Sequence, residues 1–460
     1  FVAGLASRRR RLLSSTYECG GRACRDYLGD SIPLAVYDEK PETEEVARMV
    51  AGLQPDSAAF YVMDALAVEQ RLDEWRESLP FTRPFYSLQC NDDSFLLELL
   101  TRSSDCNLHV SNLSELERAL AVVPASRIVY HEPFFRRRTV DRLIQLDEPL
   151  AFMIVDEVDD AVDLAAVRPD QPILLRVTLS PESESVDLSM GLLPEDAVSV
   201  IPQLLADRVP LAGISVQLIA DDGDDVIRRA DELMRMLQAL APCDLRVLHV
   251  GGGFRPTQLD MASKLLEFLL TNSDQPNLKL IASPGRFFAR GAFSFITPVT
   301  GQTDAPPGSG VKKVYGTSES FYGSFAGIQV GEKPACQPLL RKARGGLKGE
   351  GYDDDEEEQY ESAVFGANMT QEELLTPHTI RLPAMSIGDH LLWTDMGAYS
   401  SREQEGHPVY YFIGRDHWER LKGGEGRGGL LSDGGSSDGD TETEVDADDM
   451  AECFGRVFTD

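Results

Sequence analysis

Four short stretches carry residues whose types and spacing could do chemistry. Gly251-Gly252-Gly253-Phe254 follows a β-rich run. Consecutive glycines let backbone amides approach a phosphate closely. Pro284-Gly285-Arg286-Phe287-Phe288 follows another such run. Arg136-Arg137-Arg138, with Arg142, forms a basic group within a helical pattern. Pro84-Phe85-Tyr86-Ser87-Leu88-Gln89-Cys90-Asn91-Asp92 ends a further β-rich run on a glutamine. A carboxamide cannot form an imine, because its nitrogen lone pair is delocalised into the carbonyl. Each stretch also has a plain structural reading. A glycine-rich segment after a strand makes a turn, and arginines on a helix make a solvated face.

Metal and disulfide chemistry find little support. The seven cysteines form no CxxC pair, and no paired histidine cluster accompanies them. Such spacing suits a reducing compartment and speaks against a disulfide framework or a zinc site. A cytoplasmic location is expected.

The elements that would position these residues alternate. Short β-rich runs occur at Pro84–Leu88, Asn107–Val110, Arg127–Tyr130, Ala151–Val155, Ile173–Thr178, Gly213–Leu218, Arg246–Val250 and Leu278–Ala282. Between them lie amphipathic segments such as Ser94–Arg102, Leu113–Val122, Asp160–Val167, Glu195–Arg208 and Asp225–Leu240, with apolar residues recurring at three and four. Eight strands alternating with helices predict an α/β fold, a (β/α)8 TIM barrel, because parallel neighbours need a crossover helix. Such barrels hold phosphate near the ends of their last strands, where both glycine segments fall.

After Arg286 the pattern changes. Phe293–Val299, Val311–Tyr315, Phe325–Val330, Thr379–Leu382, His390–Thr394 and Val409–Gly414 are strand-like and separated by turn residues, which predicts a C-terminal, sandwich-like all-β domain. The expected organisation is a terminus with strands joining the β domain (1–56), the barrel (57–288), the β domain (289–420) with an acidic insert at about 341–362, and an acidic tail (421–460).

Composition narrows the function classes. The chain has 460 residues and a formal net charge of -32, enough for two cored domains and unsuited to general affinity for nucleic acid or anionic membrane. No run approaches the roughly 18 apolar residues of a membrane span. Asp353-Asp354-Asp355-Glu356-Glu357-Glu358 and the stretch 423–449 read as solvated spacer and tail. The Arg8-Arg9-Arg10-Arg11 run lacks the apolar stretch of a secretory signal.

Further segments join the Pro84–Asp92, Gly251–Phe254 and Pro284–Phe288 stretches: Phe321-Tyr322-Gly323-Ser324-Phe325, Leu382-Pro383-Ala384-Met385 with Gly388-Asp389, and Asp395-Met396-Gly397-Ala398-Tyr399. In this order and at these intervals they resemble the eukaryotic ornithine decarboxylase and antizyme inhibitor family, group IV of the fold-type III pyridoxal phosphate (PLP) decarboxylases. The resemblance covers about residues 45 to 420. It implies a PLP barrel, a β-sandwich domain, and active sites at a head-to-tail dimer interface.

The same resemblance marks this chain as a divergent member. The family's Schiff-base lysine falls on Gln89, and its pyridine-nitrogen carboxylate on Ser283. The histidine that stacks on the ring falls on Gln217, and the phosphate-binding serine near Ala220, beside Asp221 and Asp222. The family's Cys-Asp pair, donated across the dimer, falls on Met369 and Thr370, within Phe365-Gly366-Ala367-Asn368-Met369-Thr370. The supporting aspartate of the second strand falls on Asn107. Vestigial cofactor positions persist at Arg176, Gly251, Gly252, Gly253, Gly285, Arg286 and Tyr399, and a vestigial substrate position at Glu319. Lys279 lies on the last strand, several residues before the mouth where barrel chemistry occurs.

Three functions are implied by the resemblance. The leading expectation is a pseudoenzyme that regulates polyamine biosynthesis by binding antizyme or an active decarboxylase. The family's antizyme-binding region falls on about Glu132 to Glu157, with Arg136, Arg137, Arg138 and Arg142 on a helix. Such a protein holds no covalent cofactor, although non-covalent PLP or phosphate binding stays open, as does homo- or heterodimer formation. The alternatives are a PLP-dependent decarboxylase with a rearranged site, making putrescine, and a regulatory heterodimer subunit of ornithine decarboxylase.

Overall fold

The computed structural model describes residues 18–19, 21–28, 32–53, 58–102, 106–133, 136–179, 191–219, 223–339, 358–376, 379–400 and 406–423. Most of the expected acidic insert and tail lie outside them, as do Ala220, Asp221 and Asp222. The chain forms two compact units. One comprises residues 1–70, 90–96 and 288–420, the other 71–89, 97–287 and 421–460.

The second unit is a closed barrel of eight parallel strands. They are β1 (Thr82–Ser87), β2 (Asn107–Val110), β3 (Ile128–His131), β4 (Phe152–Val155), β5 (Ile173–Arg176), β6 (Leu211–Ser215), β7 (Val247–His249) and β8 (Lys279–Ala282). The ring closes through β8 against β1, with Leu280 opposite Thr82. Sequences such as Ile-Leu-Leu and Leu-Ile-Ala suit strands covered on both faces. The crossover helices start on local signals. Leu113–Leu120 has Asn112 as its cap, whose side chain accepts from the Glu115 amide at 3.0 Å. Glu115 reaches back to the Ser111 amide at 2.7 Å, a reciprocal pair that satisfies two otherwise orphan donors. Pro194 opens Pro194–Ala206 where its missing N–H costs nothing.

One buried apolar cluster joins Phe85, Val129, Ile154, Leu174, Val247 and Ile281, drawn from six of the eight strands. Side chains two residues apart on a strand share a face. The residues two positions further on therefore form the next layer towards the strands' C-terminal ends: Ser87, His131, Asp156, Arg176, His249 and Ser283. His109 and Ser215 join that layer in register, since Ser215 pairs with both Arg176 and His249. The barrel is thus apolar inside and polar at its mouth.

The first unit is a branched, mainly antiparallel sheet. Its order is Glu18–Cys19, Gly21–Leu28, Ile32–Tyr37, Val409–Gly414, Phe60–Asp64, Phe293–Asp304, Lys313–Thr317, Tyr360–Phe365 and Ile380–Leu382. His390–Trp393 branches off Phe293–Asp304 and pairs with Cys336–Leu339. Strands from the N-terminal region thus belong to this sheet, and so does Phe60–Asp64, which falls within the segment expected for the barrel. Tyr37, Val46, Phe60, Val62, Ile296, Leu392 and Phe412 form its buried core.

The expected strand Phe325–Val330 is instead a 3-10 helix, Ala326–Val330. Local bonds take its backbone donors: Ile328 N–H to Phe325 at 3.0 Å and Gly331 N–H to Ile328 at 3.1 Å. Gly331 then ends the helix at φ +88, a conformation glycine adopts without strain. Cys336–Leu339 and Tyr360–Phe365 are strands that the sequence did not announce.

Candidate functional site at the barrel mouth

Ser283 stands just past β8, buried, between two imidazoles. Its hydroxyl is 2.6 Å from His109 Nδ1 and 2.7 Å from His249 Nε2. The opposite nitrogen of His249, Nδ1, lies 2.7 Å from the Ser215 hydroxyl. These four residues, from β2, β6, β7 and the end of β8, make one hydrogen-bonded chain. A second group completes the layer: His131 Nε2 is 3.2 Å from Asp156, and Arg176 is 3.5 Å from both.

The chain of four is uncharged at neutral pH. Burial holds His109 well below the usual imidazole range, helped by His249, His131 and Arg176. Burial first, then His131 and Arg176, push His249 down to about 3. Ser283 has one hydroxyl proton, so it donates to one ring and accepts from the other. An imidazole that protonates only near pH 3 is a poor general base at neutral pH. The Ser283–His249 contact therefore does not make a nucleophile.

The glycine turn is also internally satisfied. Gly251 and Gly253 have φ of +72 and +91, which glycine alone adopts readily. A Cβ at Gly251 would run into the Gln217 carboxamide, and one at Gly253 would lie 2.5 Å from the Ile219 carbonyl oxygen. Packing against residues 217–219 thus demands these glycines whatever the turn binds. Gln217 Nε2 donates to the carbonyls of Ile219 at 2.9 Å and Gly252 at 3.1 Å. Its Oε1 accepts from the Gly252 amide at 3.3 Å.

The other barrel positions are spread around the mouth and its surroundings. Gln89 is exposed in the turn after β1, and the neighbouring Leu88 amide donates to the His109 carbonyl at 3.0 Å. Asn107 lies one layer below the mouth, fully buried, accepting from Arg127 Nε at 2.9 Å. His109, two residues later on the same face, occupies the mouth instead. Arg286 opens the short helix Arg286–Ala289, directly after Pro284 and Gly285. Arg136, Arg137 and Arg138 are exposed at the start of the helix Arg137–Ile144. Arg142 is engaged with Glu117 through two bonds of 2.6 and 3.2 Å, which offsets its charge.

Four positions lie in the sheet unit. Glu319 accepts from Ser324 at 3.1 Å and sits 3.1 Å from His407 Nε2. Met369 is exposed at φ +51, followed by exposed Thr370, and Tyr399 has φ +58.

Sequence reasoning did not single out His109, His131, Asp156, Ser215 or His249. The signal was present but faint. Leu108-His109, Tyr130-His131 and Leu248-His249 each place a histidine at or near the end of an apolar run, where a barrel presents its mouth.

Known proteins place this architecture. The model of the pyridoxal-dependent decarboxylase pyridoxal binding domain matches residues 66–290. Ornithine decarboxylase of Caenorhabditis elegans is 24% identical over 431 residues, covering 86% of this chain and 98% of that protein. The chloroplastic ornithine decarboxylase of Nicotiana glauca is 26% identical over 367 residues, 76% of this chain and 81% of that protein. Among solved structures, Paramecium bursaria Chlorella virus arginine decarboxylase shares the fold at a TM-score of 0.67 and 22% identity, covering 81% of this chain and 100% of that one. Lysine/ornithine decarboxylase of Vibrio vulnificus, complexed with cadaverine, does so at 0.64 and 18%, covering 82% and 99%.

The residues at the mouth do not fit a covalently held PLP. Residues 66–290 contain two lysines. Lys264 is exposed on a helix and paired with Asp260, and Lys279 begins β8, at the end of the barrel away from the mouth. The Ser283 hydroxyl is shared between two neutral rings rather than set beside a carboxylate. The Gly252 amide is held by Gln217. Sequence match and fold nevertheless point the same way: residues 66–290 match the pyridoxal binding domain of this decarboxylase family, and the chain is similar in sequence to ornithine decarboxylases and in fold to arginine and lysine/ornithine decarboxylases.

Proposed function

We propose that this chain is a non-catalytic member of that family, which regulates polyamine biosynthesis by binding antizyme or an active decarboxylase. The observation that carries the proposal is the lack of a lysine at the mouth: Gln89 stands after β1, and both lysines of the matched segment lie elsewhere. Replacing the anchor, the ring's acid partner and the ring-stacking residue together removes chemistry that no single neighbour resupplies. A fold alone does not carry an activity.

The binding face would be the start of the helix Arg137–Ile144. Arg136, Arg137 and Arg138 are exposed there, on a chain whose net charge is -32. A local basic face on an acidic protein steers an acidic partner. Arg142 and Arg136 would contribute less than Arg137 and Arg138, because Glu117 and Glu132 already accompany them.

Purified protein with saturating PLP should release no CO2 from ornithine, lysine or arginine, and Gln89→Lys alone should not rescue release. Robust turnover by either protein would overturn the proposal. The second reading, an active decarboxylase with a rearranged site, is favoured by the names of its relatives, which are decarboxylases. A visible absorbance band of a Schiff base in the purified protein would support it. Capture from lysate distinguishes the partners: co-purification with an active decarboxylase and not with antizyme indicates a heterodimer subunit.

A further inference from the structure

We infer that Gln217 is an intramolecular plug that closes the glycine turn against phosphate. The inference deepens the non-catalytic reading and rests on it. Three bonds seat the carboxamide: to the Ile219 carbonyl at 2.9 Å, to the Gly252 carbonyl at 3.1 Å, and from the Gly252 amide at 3.3 Å. Both ends of the carboxamide are used, and both edges of the turn are held. The Gly252 N–H is the donor that a phosphate oxygen would need at this turn, and it is already spent.

Several features make the plug specific to glutamine. The donor end must meet two carbonyls and the acceptor end one amide, which only a carboxamide does. A carboxylate at this position would face the two carbonyls with no proton to give. A Cβ at Gly251 would collide with the carboxamide, so the glycine shapes the seat for the plug. The base of the plug is fixed too, since Arg229 donates to the Gln217 carbonyl at 3.1 Å. Gln217 itself is exposed. Its bonds are therefore modest, and the plug competes with phosphate without sealing the turn permanently.

The competing group is a phosphate monoester or inorganic phosphate, and inorganic phosphate is the probe. Its affinity for the full-length protein is measured by calorimetry at fixed ionic strength, in sulfate-free buffer, beside Gln217→Ala and Gln217→Asn. Loss of the carboxamide bonds should tighten phosphate binding about tenfold in Gln217→Ala. Gln217→Asn keeps the carboxamide but shortens its reach, and should tighten binding likewise. Circular dichroism and melting temperature verify that each variant folds. In the native protein, hydrogen exchange of the peptide containing Gly252 should be slower than in either variant, a readout that needs no ligand. Equal phosphate affinity in all three proteins, or no binding by any, overturns the inference. So does unchanged exchange at Gly252. Native protein that binds phosphate as tightly as the variants yet releases no CO2 would defeat the plug and leave the non-catalytic reading standing.

Discussion

Removing the Ser283 hydroxyl tests whether the mouth is a structural network. In Ser283→Ala, His109 Nδ1 and His249 Nε2 lose partners at 2.6 and 2.7 Å. Both rings are buried, at 9% and 3% exposure, so water does not freely replace the hydroxyl. Each hydrogen bond contributes about 0.5–1.5 kcal/mol net, and a buried nitrogen left unpaired costs about 1–3 kcal/mol. Some relaxation is expected, so the loss should be about 2–4 kcal/mol. For a unit of this size that lowers Tm by about 5–15 °C. Urea unfolding, followed by circular dichroism, measures the change through the midpoint at constant slope. Ser215→Ala is the internal comparison, because Ser215 makes one such contact, at 2.7 Å to His249, and should cost roughly half as much. A loss below about 0.5 kcal/mol in Ser283→Ala would refute the reasoning, since two buried bonds cannot vanish for so little.

Acid should weaken the same network. Both histidines have folded-state pKa values below their unfolded ones, His249 at about 3. Their neutral burial is compatible with full stability above the unfolded value of about 6.5, and stability is lost as pH falls from there towards about 3. At pH 5.5 His249 alone should cost about 1.4 kcal/mol, with His109 adding in the same direction, and a urea midpoint unchanged between pH 7.5 and 5.5 would reject this. Trp75→Ala should cost about 3–5 kcal/mol, because Trp75 is 2% exposed, packs against Phe254 and Phe287, and donates to the Thr82 carbonyl at 2.9 Å. A calorimetric melt measures it. Replacing Arg136, Arg137 and Arg138 together by Glu should change stability by less than about 1 kcal/mol. It should weaken capture of the proposed partner at least tenfold, and added salt should weaken the native complex too. Unchanged capture with an intact fold removes this helix from the interface.

The barrel was legible because its strands are apolar on both faces and its helices carry a three-four period, two signals that local sequence contains. All eight runs became strands, Asn107–Val110 with its expected ends and the other seven shifted at one or both ends. The sheet was less legible. Phe325–Val330 has strand-like residues, yet Gly327 within it and Gly331 after it let it coil into a 3-10 turn. Tyr360–Phe365 comes after an acidic stretch and carries Glu361 and Ser362, which mask its alternation. At the mouth, positions named through glycines and a resemblance did meet: Gln217 with the glycine turn, and Ser283 beyond β8. Asn107 did not, because a two-residue difference along a strand keeps the face and changes the layer. The three histidines escaped notice for a related reason. They are far apart in sequence, and only the closed ring of parallel strands brings them to one level.

The sheet has an order of assembly written into its pairing. Val409–Gly414 lies between Ile32–Tyr37 and Phe60–Asp64 and is parallel to both. Two strands that precede the barrel in the chain therefore cannot pair with their shared neighbour until residues 409–414 have been made. Contacts of such sequence separation form slowly, because a long loop must close before they repay its entropy. All of the barrel's strands are translated in that interval and can close locally first. Until residues 409–414 arrive, the early strands keep open edges, the feature that invites pairing with other chains. Truncation just before Val409 should thus leave a soluble barrel signature attached to an aggregation-prone remainder, whereas loss of residues after 423 spares the sheet's central strand.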